Sequence, residues 1–348
     1  MEQILQMKKI LLDKYRSFVI CFEIFMVVLL LPVIYNYVPI NKGTKTFYIP
    51  SSDLNELVQT LKTNGYEVTW IDKMMLQVRE IPVEGWYSVD TGKQGRFVFF
   101  QHLYKQKTYE LMDVIVYAGE TKEELTARLA NDMKLDQKKL LAHYKNLSQF
   151  KEADILAKRY TVARKADEEA TMKYIFLESR RNINEFITEY FTYKPEPIEL
   201  KVVHVIASII QKESNFKDEM PLISSVIYNR LERDMKLQMD GTLNYGPYTR
   251  TIVTPERIKN DTSPYNTYKY KGLPPHPLST VTMDALQAAM KPSSTDYLFF
   301  MLNPDGSHNF SATYGEHLKN VRAFREYQKK KEQETNNTLN TTTDNSEA

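Results

Sequence analysis

The chain has 348 residues, 42% of them hydrophobic, with 46 basic and 44 acidic side chains and a formal net charge of +2. That length accommodates two folded units with cores of their own, and the near-neutral charge argues against a nucleic-acid partner, which needs a concentrated basic patch. The single cysteine, Cys21, excludes an intrachain disulfide or a Cys-based zinc site, and the six histidines show no HExxH-type spacing, so no metal or cofactor is expected.

Residues 1–16 carry Lys8, Lys9, Lys14 and Arg16, and residues 17–38 are apolar apart from Glu23 and Asn36. A hydrocarbon core of about 30 Å needs roughly 20 helical residues, so 17–38 reads as a transmembrane anchor. The alternative is a cleaved signal peptide. No small-x-small site follows, however, because 32–39 is bulky and bears tyrosines. The basic flank lies on the N-terminal side, so the N-terminus is expected in the cytoplasm and residues 40–348 outside. Glu23, near the cytoplasmic end, is placed to snorkel or approach Arg16; contact with a partner helix is the alternative.

Residues 45–165 read as small α/β units: strand 46–49, helix 53–61, strand 67–71, a strand-rich stretch over 85–100, strand 113–117, helices 121–131 and 136–145, and strand 155–162. Asp53-x-x-Glu56-Leu57 and Thr121-x-x-Glu124-Leu125 echo each other at an offset of 68 residues, each a capping-box pattern before an amphipathic helix. Residues 166–195 follow as a connecting charged helix that ends at Pro195-Glu196-Pro197, the domain boundary. A folded region over 196–328 comes next, and a tail over 329–348, rich in Lys, Glu, Asn and Thr, has no apolar face and is expected to be disordered.

Within 196–328, residues 202–214 predict a helix: Val202, Val205, Ile206, Ile209 and Ile210 recur at helical spacing without Gly or Pro. Glu213 shares the face of Ile209 and Ile210, while Gln211 and Lys212 face elsewhere. A carboxyl group in apolar surroundings ionises less readily, which suits a general acid at neutral pH. The plainer reading is a Glu at a helix end that turns into solvent. A second helix over 222–233 starts near Pro221, a loop over 236–277 is rich in Gly, Pro, Asn and Tyr, and 284–290, 297–302 and 314–328 read as helix, strand and helix.

Four segments occur in order: Ala207-Ser-Ile-Ile-Gln-Lys-Glu213-Ser; Tyr228-Asn-Arg-Leu231 leading to Lys236-Leu-Gln-Met-Asp-Gly-Thr242 and Tyr245-Gly246; Tyr265-Asn-Thr-Tyr268 leading to Gly272-Leu-Pro-Pro275; and Asp305-Gly-Ser-His308 leading to Glu316-His317. Together they resemble the endolytic murein transglycosylases of the YceG-like family, strongly over about residues 200–327. The resemblance implies an α+β protein with a single N-terminal transmembrane helix, LysM-like small α/β units over 45–165 and a mixed α/β catalytic domain over 196–328. It also implies anchoring in the bacterial inner membrane, a periplasmic catalytic domain, glycan strands as substrate, internal cutting between MurNAc and GlcNAc to give 1,6-anhydro-MurNAc ends, and termination of nascent strand elongation, with peptidoglycan synthases as candidate partners. One segment departs: where the family often shows an acidic-Gly-aromatic-Leu-aromatic-Pro-Asp-Thr-Tyr run before the catalytic helix, Glu152-Ala-Asp-Ile-Leu-Ala-Lys-Arg-Tyr160 keeps only its ends and an apolar middle.

The resemblance carries the catalytic role to Glu213. Such an enzyme needs one carboxyl group, which gives its proton to the leaving oxygen and then takes one from the C6 hydroxyl of the same muramoyl residue, an intramolecular nucleophile that gains from proximity. Gln238, Tyr265 and Asn266 lie on loops suited to hydrogen-bonding sugars, and Tyr245 and Tyr268 to stacking on them, with loop packing as the alternative for each. Asp240 binds substrate, orients Glu213 or caps a turn. His308 and His317 read as structural hydrogen-bonders. Two rival readings stay open: a muramidase with Asp240 as second carboxylate and water as nucleophile, and a non-catalytic peptidoglycan-binding scaffold.

Overall fold

The computed structural model describes residues 2–40, 43–78, 80–90 and 95–344. The chain divides into two compact units, residues 1–112 with 161–171, and residues 113–160 with 172–348. The boundary falls inside the 45–165 stretch read from sequence as one region.

In the first unit, helix α1 (Glu2–Tyr35) starts well before residue 17 and carries Pro32 in its last turn. Its stretch Gln6–Tyr35 is long and apolar enough to cross a membrane. Strand β1 (Thr46–Ile49) is followed by α2 (Leu54–Thr63), α3 (Trp70–Val78) and strand β2 (Gly85–Ser88), which pairs antiparallel with β1 so that Phe47 lies opposite Tyr87 and Ile49 opposite Gly85. Phe47, Ile49, Leu57, Leu61, Tyr66 and Tyr87 form the core of this βααβ arrangement. Asp53 caps α2 by accepting from the amides of Asn55 and Glu56, but Glu56 accepts from the Ser51 hydroxyl.

Two sequence expectations fail here. Residues 67–71 are not a strand. Thr69 and Asp72 cap each other, the Asp72 carboxylate accepting from the Thr69 amide and hydroxyl at 2.8 and 2.9 Å and the Asp72 amide donating back to Thr69 Oγ1 at 3.3 Å. That exchange starts α3 despite the β-branched residues around it. Nor is 85–100 strand throughout: after β2, α4 (Arg96–His102) forms because Arg96, Phe99, Phe100 and Leu103 take the buried positions i, i+3, i+4 and i+7. Arg96 is buried because it pairs with the equally buried Asp72 at 2.6 Å and donates to the carbonyls of Pro39 and Glu67.

Another βααβ sequence follows, which lies in the second unit except for residues 111–112 and 161–163. Strand β3 (Leu111–Ile115) leads to α5 (Lys122–Met133), α6 (Gln137–Leu147) and β4 (Arg159–Ala163), and β3 pairs with β4. The capping box of Thr121 and Glu124 is fully formed. This βααβ segment is stitched into the rest of its unit by backbone: Gly119 N donates to Thr280 O (3.1 Å), Thr280 N to Glu120 O (2.8 Å) and Ala157 N to Val281 O (2.8 Å). Those bonds explain why residues 113–160 belong with 172–348.

The long helix α7 (Glu168–Tyr190) precedes α8 (Pro197–Glu213), which begins five residues before the expected 202 and is capped by reciprocal bonds of Glu196 and Glu199. Helix α8 is the centre of the unit. Val203 to Gln211 are all buried, and they pack against α9 (Met220–Glu232) and, beyond a short helix α10 (Pro255–Asn260), against α11 (Met283–Met290). Strands β5 (Phe299–Leu302) and β6 (His308–Ser311) form an antiparallel hairpin, and α12 starts at Tyr314. Helix α12 continues to Asp344, beyond residue 328, where the sequence suggested disorder. Lys329 to Gln333 are all strong helix formers and extend it without an apolar face. Residues 345–348 of that tail lie outside the described residues.

Candidate active site

Glu213 is the last residue of α8, one turn past the fully buried Ile209 and Ile210. The helix stops there because Ser214 turns extended, its hydroxyl held by Glu219 Oε2 at 3.0 Å. The two preceding side chains turn away from Glu213. Gln211 accepts from the amide and hydroxyl of Thr282. Lys212 donates to Gly119 O (2.8 Å) and Thr249 Oγ1 (3.2 Å), and Thr249 in turn donates to Glu124 of α5. The end of α8 is thereby clamped to the N-terminal end of α5.

The Glu213 carboxyl group accepts one backbone bond, from Gly241 N at 2.9 Å. Glycine is required at 241 for space alone, since its φ is not positive. A Cβ there would lie 2.7 Å from Lys212 Cβ and 2.8 Å from Glu213 Oε1. Burial pushes Glu213 up to about 7; the Gly241 N–H favours the charged form, the Asp240 charge opposes it, and Arg230 favours it. A carboxyl group poised there exists in both forms at neutral pH, as a group that must give and then take a proton requires.

Glu213 opens into a cleft of about 680 Å³ walled by residues 237–240, Tyr268, strand β5 and α12, with Arg230 and His308 in its lining. Asp240 is exposed, and its Oδ1 accepts from Tyr268 OH at 2.6 Å. Burial, and then the Asp240 carboxylate, push the Tyr268 hydroxyl well above its ordinary value, so it stays a donor. Gln238 is exposed in a left-handed conformation, φ 49°. Glu213, Gln238, Asp240 and Tyr268 therefore share one cleft.

The other three residues singled out in sequence do not line it. Asn266 is fully buried, donating to Ile258 O and Asp261 O while its Oδ1 accepts from Tyr268 N. It folds the 258–268 loop and has no free amide for a sugar, which corrects the binding role expected of it. Tyr245 and Tyr265 stack on each other at 4.3 Å with 12° between their planes, so each has one face covered by the other.

Several supports surround the cleft, of which the sequence pointed to His308 and His317 alone. In the Tyr228-Asn-Arg-Leu231 motif, Tyr228 donates to Ala289 O, Asn229 to Thr295 O and Tyr297 O, and Arg230 to Leu298 O (2.6 Å) and Leu237 O. Arg230 thus joins the residue just before β5 to the loop that carries Gln238 and Asp240, a role visible in neither segment alone. His308 donates its backbone N–H to Glu219 Oε1 at 2.7 Å and places Nδ1 2.8 Å from Glu219 Oε2. Burial raises Glu219, but those bonds and the Ser214 hydroxyl outweigh it and hold the carboxyl below its ordinary value. His317 stacks on Phe299 at 5.2 Å, and burial lowers it toward the neutral form. Among the described residues, no group of three or more His, Cys, Asp or Glu side chains is arranged to hold a metal.

Comparison with known proteins bears on this geometry. Residues 47–323 match the model of the YceG-like family. The chain is 40% identical over 134 residues to the endolytic murein transglycosylase of Bacillus subtilis, covering 37% of each chain. It is 33% identical over 138 residues to that of Streptococcus pneumoniae, covering 38% of this chain and 25% of the relative. These matches thus span little more than a third of the relatives' length at most. A solved YceG-like protein from Listeria monocytogenes superposes with a TM-score of 0.50 over 79% of this chain and 97% of its own, at 23% identity, a likeness of fold. The family match covers most of the chain, Glu213 included, so the chain belongs to the YceG-like family.

Proposed function

We propose that this chain is a membrane-anchored endolytic murein transglycosylase that cuts glycan strands between MurNAc and GlcNAc, with Glu213 as its acid and base. The observation that carries the reading is Glu213 itself: a carboxyl group at the end of the most buried helix, tuned by burial to about 7, held by one backbone N–H and open to a cleft large enough for sugars. The names of the curated relatives point the same way.

In the proposed reaction the protonated Glu213 donates to the glycosidic oxygen as the bond from C1 of the muramoyl residue to that oxygen breaks. The Gly241 N–H supports the carboxylate that forms. Glu213 then removes the proton of the C6 hydroxyl as O6 closes on C1, which restores the acid and leaves a 1,6-anhydro end with no water consumed. Gln238, Asp240 and Tyr268 bind the strand, and the negative Asp240 favours the oxocarbenium-like charge. Tyr245, Tyr265 and Asn266 act by shaping the loop behind them.

Helix α1 is the anchor, with residues 1–16 in the cytoplasm by its basic flank and the catalytic unit on the outer side. The two βααβ arrangements are LysM-like and assist in placing the strand, and the enzyme terminates elongation beside peptidoglycan synthases. The test is incubation of purified full-length protein with uncrosslinked glycan strands. Glu213→Gln keeps size and hydrogen bonding but removes the transferable proton, a contribution of about 10²–10⁴-fold, so anhydro products should fall to background while the fold persists. An active Glu213→Gln protein refutes the assignment.

A further inference from the structure

The first unit carries an apolar surface that its own core does not use. Along one face of α3, Trp70, Met74 and Val78 recur every fourth residue and are 72%, 53% and 76% exposed. They wall an open groove of about 260 Å³ together with Leu31 of α1 and Phe97 of α4, and the lining is apolar side chains plus Gln101, with no charge. Asp72 and Leu76, on the inward side of the same helix, are buried, so α3 is amphipathic with both faces apolar in part.

The position of α3 along α1 is set by polar bonds. Tyr35 bonds with Thr69 Oγ1 at 2.6 Å and donates to Asp72 Oδ1 at 3.0 Å, while Arg96 reaches both Tyr35 OH and Asp72 at 3.1 Å and Pro39 O at 2.8 Å. Helix α4 closes against the end of α1 so tightly that a Cβ at Gly95 would overlap the Asn36 side chain. The groove is thereby level with Leu31. Leu31 precedes Tyr35, the last residue of α1, by four residues, which at 1.5 Å per residue is roughly 6 Å inside its outer end. Helices that lie in a membrane interface bury their apolar face to about that depth, about 5–10 Å, and tryptophan favours the headgroup level.

We propose that α3 lies in the outer interface of the membrane that α1 crosses, with Trp70, Met74 and Val78 set among the lipid acyl chains, so that the first unit is seated on the bilayer. The inference rests on the reading of α1 as a span. Lipid is the occupant because the groove continues the exposed surface of α1, where Leu31 and Ile34 are 44% and 65% exposed and a span must present them to acyl chains.

The test compares full-length wild type with Trp70→Phe, a surface change that leaves the buried Trp86 as the remaining tryptophan. Each is reconstituted into phosphatidylethanolamine–phosphatidylglycerol vesicles with and without phosphatidylcholine brominated near the headgroup end of its chains. Wild-type emission should drop with brominated lipid, the drop should vanish in Trp70→Phe, and it should shrink in a Met74→Asp/Val78→Asp variant that still resists alkaline carbonate extraction. Protein that resists carbonate yet shows no drop, or the same drop in Trp70→Phe, overturns the seating while α1 stands as an anchor. Trp70 shielded from aqueous iodide but untouched by brominated lipid means a protein covers the face and likewise overturns it. Protein stripped by carbonate overturns the anchor, and the seating with it.

Discussion

Gly241→Ala is the sharpest perturbation of the cleft that removes no titrating group. The added methyl would sit 2.8 Å from Glu213 Oε1 and 2.7 Å from Lys212 Cβ. Lys212 cannot yield freely, because its amine is held by Gly119 O and Thr249. The Glu213 carboxyl group must therefore move and lose its 2.9 Å bond from the Gly241 amide. A hydrogen bond to a charged group contributes about 1.5–3 kcal/mol, and 1.36 kcal/mol corresponds to one pKa unit. The bond favours the carboxylate, so its loss raises Glu213 from about 7 by roughly one to two units. Two consequences follow for the release of anhydro products as a function of pH. The alkaline limb, where the acid loses its proton, should move up by about one to two units, and the maximal rate should fall by roughly ten- to a hundredfold because the forming carboxylate lacks its donor. Circular dichroism should show an intact fold, since only local overpacking is introduced. A Gly241→Ala enzyme with wild-type rate and an unmoved alkaline limb would refute the claim that this amide supports Glu213.

Asp240→Asn removes a like charge that adds to burial in raising Glu213, so its alkaline limb should move toward acid, opposite to Gly241→Ala, and the rate loss should be far smaller than for Glu213→Gln; a loss as complete as that of Glu213→Gln would make Asp240 a second catalytic carboxylate. Glu213 also bears on stability. Its folded value, about 7, lies above its ordinary 4.5, so between those values the native state binds more protons than the unfolded chain and stability falls as pH rises through that window. The penalty reaches up to about 3 kcal/mol above pH 7. Glu213→Gln should therefore melt higher than wild type at pH 8 and equal it near pH 4; because Glu152 is raised to about 7 as well, the difference between the two proteins is the quantity to measure by thermal denaturation, and equal melting at pH 8 would show that Glu213 is not desolvated.

What the sequence disclosed follows from how local each determinant is. Helix α8 and the placement of Glu213 at its end were legible because Val205, Ile206, Ile209 and Ile210 state a helical period within a few residues. The Thr121–Glu124 capping box was legible for the same reason, whereas its echo at Asp53 and Glu56 carries the same pattern and a different bond, since Ser51 intervenes. Helix α4 was hidden because one of its buried positions is Arg96, whose burial depends on Asp72, 24 residues earlier. Helix α3 was hidden by a β-branched stretch that Thr69 and Asp72 override. In the cleft, Gly241 stood inside a quoted motif, but its reason is the proximity of Glu213, 28 residues away in sequence. Asn266 read as a sugar ligand because its residue type suits one; only the three-dimensional path of the 258–268 loop shows its amide already bonded.

The central claim is that Glu213 acts alone and that the substrate's own C6 hydroxyl, not water, attacks C1. Mass analysis of the products made by the full-length protein from glycan strands in heavy-oxygen water tests it most directly. Muramoyl ends one water lighter than hydrolysis products and free of the heavy isotope are expected, and newly formed reducing ends that carry heavy oxygen would contradict the claim.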